Sequence, residues 1–183
     1  MKRLLLIVLF ISFGYSQSIN DEKLIEKGRK KYHPDTNELY SGKVFKNRMG
    51  GEKDFEGSYK DGQKDGLWTV WYENGQKKSE GTYKNGEADG LVTWWYENGQ
   101  KKSENNFKAD ALGNGIAHGL STGWYENGQK RYEKNYKDGR SIGSANSWHK
   151  NGKKMEEAKY KDGKEISSKK WNEDGSVYDP TLS

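Results

Sequence analysis

The 183-residue sequence has no cysteine, which removes disulfides, thiolate zinc sites, cysteine nucleophiles and lipid attachment through an N-terminal cysteine. Leu, Ile, Val and Phe are sparse, a shortage that in most chains signals disorder, because little apolar surface is left to offset chain entropy. Proline is nearly absent, at two residues, while glycine reaches 23. The glycines therefore read as turn punctuation in a strand-rich chain rather than as a Pro/Gly linker. What is present decides against disorder: seven Trp and twelve Tyr, each ring able to bury roughly 150–250 Å².

The first residues read as an address. Met1, Lys2 and Arg3 are a basic start, Leu4 to Phe13 is an apolar run broken only by Ser12, and Gly14 and Ser16 are small residues beside a cut before Gln17. The run is shorter than the roughly 20 residues of a bilayer span. A signal peptide over residues 1–16 is expected, and with it export to the periplasm, the envelope or the outside. Its removal takes Lys2 and Arg3 and lowers the formal charge from +5 to +3. Lysines alternate closely with acids and form no basic stripe, so no nucleic-acid partner is expected. No other segment is apolar enough to span a membrane, which leaves only peripheral contact with one.

Internal repetition carries most of the information. The string WYENGQKKSE runs from Trp71 to Glu80 and again, unchanged, from Trp95 to Glu104. It returns as WYENGQKRYE from Trp124, WHKNGKKMEE from Trp148 and WNEDGSVYD from Trp171. The tryptophans are 24, 29, 24 and 23 residues apart, so the period is about 24 with a five-residue insertion near 109–115. A degenerate first unit begins near Tyr40. The chain divides into the signal (1–16), an N-terminal cap or linker (17–39), the repeat array (40–178) and a short tail (179–183).

Each unit reads as two strands and two turns. Leu67 to Tyr72 is rich in β-branched and aromatic residues, Asn74-Gly75 marks a hairpin, Lys77 to Tyr83 runs back, and Asn85-Gly86 turns again. Asn-Gly suits both places because each residue tolerates positive φ. The turn glycines are Gly75, Gly99, Gly128 and Gly152 at the first turn, and Gly86, Gly139 and Gly163 at the second. Alternation places Leu67, Thr69 and Trp71 on one face, and sets Lys78, Glu80 and Thr82 opposite Gly81 and Tyr83. The expected fold is all-β: tandem hairpins in an elongated single-layer antiparallel meander, with a short helix over residues 21–32. In that helix Asp21 is the cap and Leu24 and Ile25 point inward.

The candidate interaction and structural aromatics are Trp71, Tyr72, Tyr83, Trp95, Tyr96, Trp124, Tyr125, Tyr136, Trp148 and Tyr160. The Trp71 and Tyr83 positions are expected to stack over glycines of neighbouring units. In a chain this poor in aliphatics, these rings double as the available core. Lys77, Lys78, Lys101, Lys102, Lys130 and Arg131 form a basic row that adjacent glutamates neutralise. Glu56, Glu80, Glu104, Glu133 and Glu157 recur once per unit and read as a cross-strand charge ladder, since catalysis needs one asymmetric pair. His33, His118 and His149 lack metal-ligand spacing, no Ser sits in GxSxG, and the acidic turns lack an EF-hand's spacing. Neither an enzyme nor a cofactor site is expected. Lys43 and Asp179-Pro180 read as edge protection.

The GxWxxWYENGQKKSEGxYKNG pattern, seen best at Gly66 to Gly86 and Gly90 to Gly99, resembles the MORN-repeat variant of bacterial proteins, of the type often labelled antitoxin (YwqK-like). The resemblance covers roughly Tyr40 to Tyr178. It implies a single-layer sheet of hairpins and interaction work: protein scaffolding, membrane attachment or toxin neutralisation. The expected function is a non-enzymatic, exported module that binds another protein or an envelope component. A carbohydrate- or cell-wall-binding module, or an antitoxin- or immunity-type neutralising protein, are the alternatives.

Overall fold

The computed structural model describes residues 18–182; the expected signal segment lies outside the described residues. A two-residue strand β1 (Ile19–Asn20) and one 3-10 turn (Asp21–Lys23) lead into a small hairpin, β2 (Ile25–Lys27) and β3 (Lys30–Tyr32). The array then runs through β4 (Gly42–Asn47), β5 (Lys53–Lys60), a two-residue β6 (Gln63–Lys64), β7 (Gly66–Trp71), β8 (Lys77–Lys84), β9 (Glu87–Trp95) and β10 (Lys101–Ala109). It continues with β11 (Gly115–Trp124), β12 (Lys130–Lys137), β13 (Arg140–Trp148), β14 (Lys154–Lys161) and β15 (Lys164–Lys170). Strand order in the sheet is β1-β4-β5-β7 and then straight through to β15, with β6 also on β5. The pairing is antiparallel throughout except where β1 lies parallel on β4. The expected meander is therefore the fold.

The N-terminal helix is corrected. Asn20 caps only one turn, its side chain accepting the Glu22 N–H at 3.1 Å, and Leu24 is already extended. Gly28, at φ +63, then folds residues 25–32 into the β2–β3 hairpin. A glycine in mid-segment makes so short a helix costly, and the same glycine suits a turn. Leu24 does point inward, but Ile25 is exposed.

The two turns of a unit differ. At Asn85-Gly86 both residues have positive φ (52° and 89°), the two-residue I′ geometry, and Asp61-Gly62, Asp138-Gly139 and Asp162-Gly163 repeat it. At the first turn only Gly75 does, at 79°. There the Gly75 N–H donates to Tyr72 O and the Tyr72 N–H to Gln76 O, while the Asn74 side chain accepts the Gln76 N–H at 3.0 Å. Asn74 thus acts through its amide rather than through positive φ.

Beside this turn the register slips by one residue: Val70 pairs with Ser79 but Trp71 with Lys77, leaving Lys78 as a bulge. The same slip precedes Trp124 and Trp148 on their strands. The bulge carries Lys77, not Lys78, onto the face of Glu80, which corrects the simple alternation.

Glycine stacking is corrected as well. Trp68, not Trp71, lies across Gly57, where an added Cβ would overlap the indole ring; Val92 faces Gly81 in the same way, and Tyr132 faces Gly123. Trp71 is on the opposite face. Leu24, Val44, Tyr59 and Trp68 form the buried cluster, with Ile19, Tyr40, Phe55 and Tyr83 packed against it. The core thus sits at the N-terminal end, where residues 19–40 fold over one face of the sheet. The insertion does not disturb it: residues 110–114 form an ordinary hairpin turn, and Phe107, Lys108 and Ala109 pair with Ala117, Ile116 and Gly115.

Candidate interaction face

The face opposite the core carries one constellation five times. The ammonium of Lys53, Lys77, Lys101, Lys130 or Lys154 bonds the glutamate three residues on, at 2.5–2.7 Å. Each also lies 5.2–5.9 Å from the ring centre of the next unit's tryptophan, namely Trp71, Trp95, Trp124, Trp148 and Trp171. The glutamates are not a cross-strand charge ladder: their partners lie on their own strands. Across the strands they alternate with uncharged residues, in the order Glu56, Thr69, Glu80, Thr93, Glu104, Thr122, Glu133, Asn146, Glu157, until Glu157 meets Lys169 on the last strand. This row runs unbroken past the insertion.

The expected basic row dissolves on inspection. Lys77, Lys101 and Lys130 are held by glutamate and tryptophan, while Lys78, Lys102 and Arg131 lie over Tyr72, Tyr96 and Tyr125 at 5.5–5.8 Å. Those tyrosines are fasteners. The Tyr72 hydroxyl donates to Trp95 O, Tyr96 to Trp124 O and Tyr125 to Trp148 O, at 2.8–2.9 Å. Asn74, Asn98, Asn127 and Asn151 likewise donate forward to a carbonyl of the next turn. At the other turns the Gly86, Gly139 and Gly163 N–H groups donate backward to Lys64, Ala117 and Ser141 O. Tyr83 packs against the core, and Tyr136 and Tyr160 flank the Lys134 ammonium.

Sequence reading missed a row. Leu67, Leu91 and Leu120, each four residues before a repeat tryptophan, share its face and are 56%, 46% and 41% exposed. The signal was their equal offset within the unit. Trp68, the centre of the core, was missed because it does not recur.

Other chemistry is sparse. His118 lies beside Asp138 and His149 bonds Trp171 O; no cluster of three or more metal-ligating residues occurs among the described residues. No helix there is long and apolar enough to cross a membrane. Under the N-terminal hairpin Lys31 bonds Asp21 at 3.0 Å and Glu26 at 3.1 Å. Burial alone would lower the Lys31 ammonium, but these bonds outweigh it and raise it. Burial lowers that of Lys64, which rests 4.4 Å from the Trp68 ring centre. The ion pairs that tie the cap to the sheet are Lys46 with Glu22 at 3.2 Å and Arg29 with Glu87 at 3.5 Å.

Hairpins of one repeating sequence, each bonded to the next across both turns, define a tandem-repeat protein in which a unit contacts mainly its neighbours. The model of the MORN repeat variant matches four times in tandem, at residues 64–85, 88–109, 117–138 and 142–162, leaving out the insertion. The chain belongs to the MORN repeat variant family. Repeats of this family are non-catalytic and serve in general as protein- or membrane-interaction modules. No curated protein matches the chain.

Proposed function

We propose that the mature chain is an exported, non-enzymatic interaction module that binds another protein, or a component of the cell envelope, across the face carrying Leu67, Leu91 and Leu120. The observation behind this reading is their alignment beside Trp71, Trp95 and Trp124 on the face that the core does not use. The leucines stand on every second strand, with Thr82 and Asn106 between them, and such evenly spaced exposed apolar side chains on a rigid sheet offer anchors to a partner. The lysines and glutamates around them pair with each other, so the surface offers apolar contact within a neutral rim. Export rests on the character of residues 1–16.

A pull-down from envelope extract tests the reading, with wild type compared against a Leu67→Lys/Leu91→Lys variant whose folding is checked by circular dichroism. A specific partner lost by the folded variant is expected; a partner retained by it defeats the assignment to this face. Mass spectrometry of the exported protein should find it starting at Gln17. Carbohydrate binding has one observation in its favour, a hollow of about 310 Å³ on the core-side face lined by Tyr132, Tyr136 and Tyr160. Glycan-array binding abolished by Tyr160→Ala would select it instead.

A further inference from the structure

The two edges of the sheet are finished differently. At the N-terminal edge β1 covers β4, pairing Ile19 with Val44 and Asn20 with Phe45. At the other edge every residue of β15 is exposed, and β15 is the last strand in the order. The next hairpin begins there and stops. Trp171 bridges Val177, and the Tyr178 N–H donates to Lys170 O at 3.0 Å. Nine residues after each earlier repeat tryptophan stands a ladder glutamate; nine after Trp171 stands Pro180, within a 3-10 turn. Proline has no N–H to give a ladder.

The backbone left open can be located. Lys170 O accepts from outside the sheet and the Trp171 N–H donates inward to Met155 O. By the two-residue alternation of an antiparallel strand, Ser168 also turns its N–H and C=O outward. The repeat states what belongs opposite. At the ladder row, two residues before each tryptophan, earlier units place Thr69, Thr93, Thr122 and Asn146, and β15 places Lys169. The strand that follows each of the four puts a glutamate there. Lys164, Lys169 and Lys170 against the single acid Glu165 make β15 a positive edge. Lysines on an edge discourage pairing with a like strand and favour an acidic one.

We infer that the free edge of β15 takes up an extended acidic segment of another protein as an added antiparallel strand, with a carboxylate opposite Lys169. Main-chain bonds supply the grip and the Lys169 row sets the register. This edge is separate from the leucine face, and the Leu67→Lys/Leu91→Lys variant should leave it unchanged.

The chain's own residues 71–84, WYENGQKKSEGTYK, hold Glu80 at the ladder row but are net basic, so the probe is this segment with Lys77, Lys78 and Lys84 replaced by Gln, which leaves Glu73 and Glu80 as its charges. Fluorescence anisotropy of this labelled peptide against mature protein should show saturable binding, and the same peptide with Glu80→Lys should bind about threefold or more weakly. Ser168→Pro, which removes an outward N–H, should abolish binding. Lys169→Glu leaves the backbone intact and should reverse the preference between the two peptides, a readout that stands even if the proline variant misfolds. Absence of binding to wild type, or equal binding of both peptides, overturns the inference. So does sedimentation showing a dimer that Lys169→Glu dissolves, which would give the edge to a second copy.

Discussion

The first and last units of the array share a sequence pattern and differ in what they enclose. Three residues before the tryptophan, on the core-side face, the units carry Trp68, Val92, Ser121, Ala145 and Ser168 in order. Four before it, on the other face, they carry Leu67, Leu91, Leu120, Ser144 and Ser167. Both faces lose apolar bulk toward the C-terminus. Trp68 and Val92 are 4% and 2% exposed, and β15 has no buried residue. The N-terminal units are held by a packed core under a folded-over cap, whereas the C-terminal units rely on backbone pairing and on polar fasteners. In a repeat array stability is a sum of unit and junction terms, so it need not be level along the chain.

The largest test of this contrast is Trp68→Ala. Emptying that position should cost about 3–5 kcal/mol in denaturant unfolding, in the range of buried Trp truncations. Ala145→Gly, at the same place two units later than Val92, should cost at most about 1 kcal/mol. Comparable losses would erase the distinction between the ends. A smaller effect is expected from Tyr125→Phe, which removes one hydroxyl bond between units, at about 0.5–1.5 kcal/mol. Amide exchange should speed up in β13 to β15 and not in β4 to β8; a uniform change would mean the array melts as one block.

The smallest effect is that of acid. Asp138, bonded by Lys108, and Glu157, bonded by Lys154, are held below the ordinary carboxylate range by those bonds. Glu165, bonded by Ser168, is held below it too. A depressed carboxylate contributes stability that is present above its unfolded pKa, near 4, and fades as the pH falls through the lower folded value. Below about pH 4 the C-terminal hairpins should therefore loosen before the N-terminal ones, as exchange or limited proteolysis can follow. Asp138 and Glu165 are exposed and Glu157 is half-exposed, so the effect should shrink in high salt.

Much of the fold was legible because a period of 24 with Asn-Gly or Asp-Gly turns admits few architectures. The sorting of side chains was less so. Strict alternation assigns Lys78 to the face of Glu80, and a single bulged residue moves that role to Lys77, a shift visible only in the register. Repetition also hid the centre of the core. A search for recurring residues finds Trp71 and its equivalents, which lie outside it, and passes over Trp68, which occurs once. The cap was misread because Asp21 and Leu24 fit a helix start, while Gly28 carried the opposite signal with greater weight.

The fasteners all point along the chain in fixed senses: tyrosine hydroxyls and asparagine amides reach forward one unit, and glycine N–H groups reach back one. A 24-residue cassette duplicated in frame would meet the same donors and acceptors at both of its borders. The array can therefore lengthen or shorten by whole cassettes without redesign, each one adding two strands, or about 10 Å of span. Its length becomes a heritable measure, set by copy number and altered in steps.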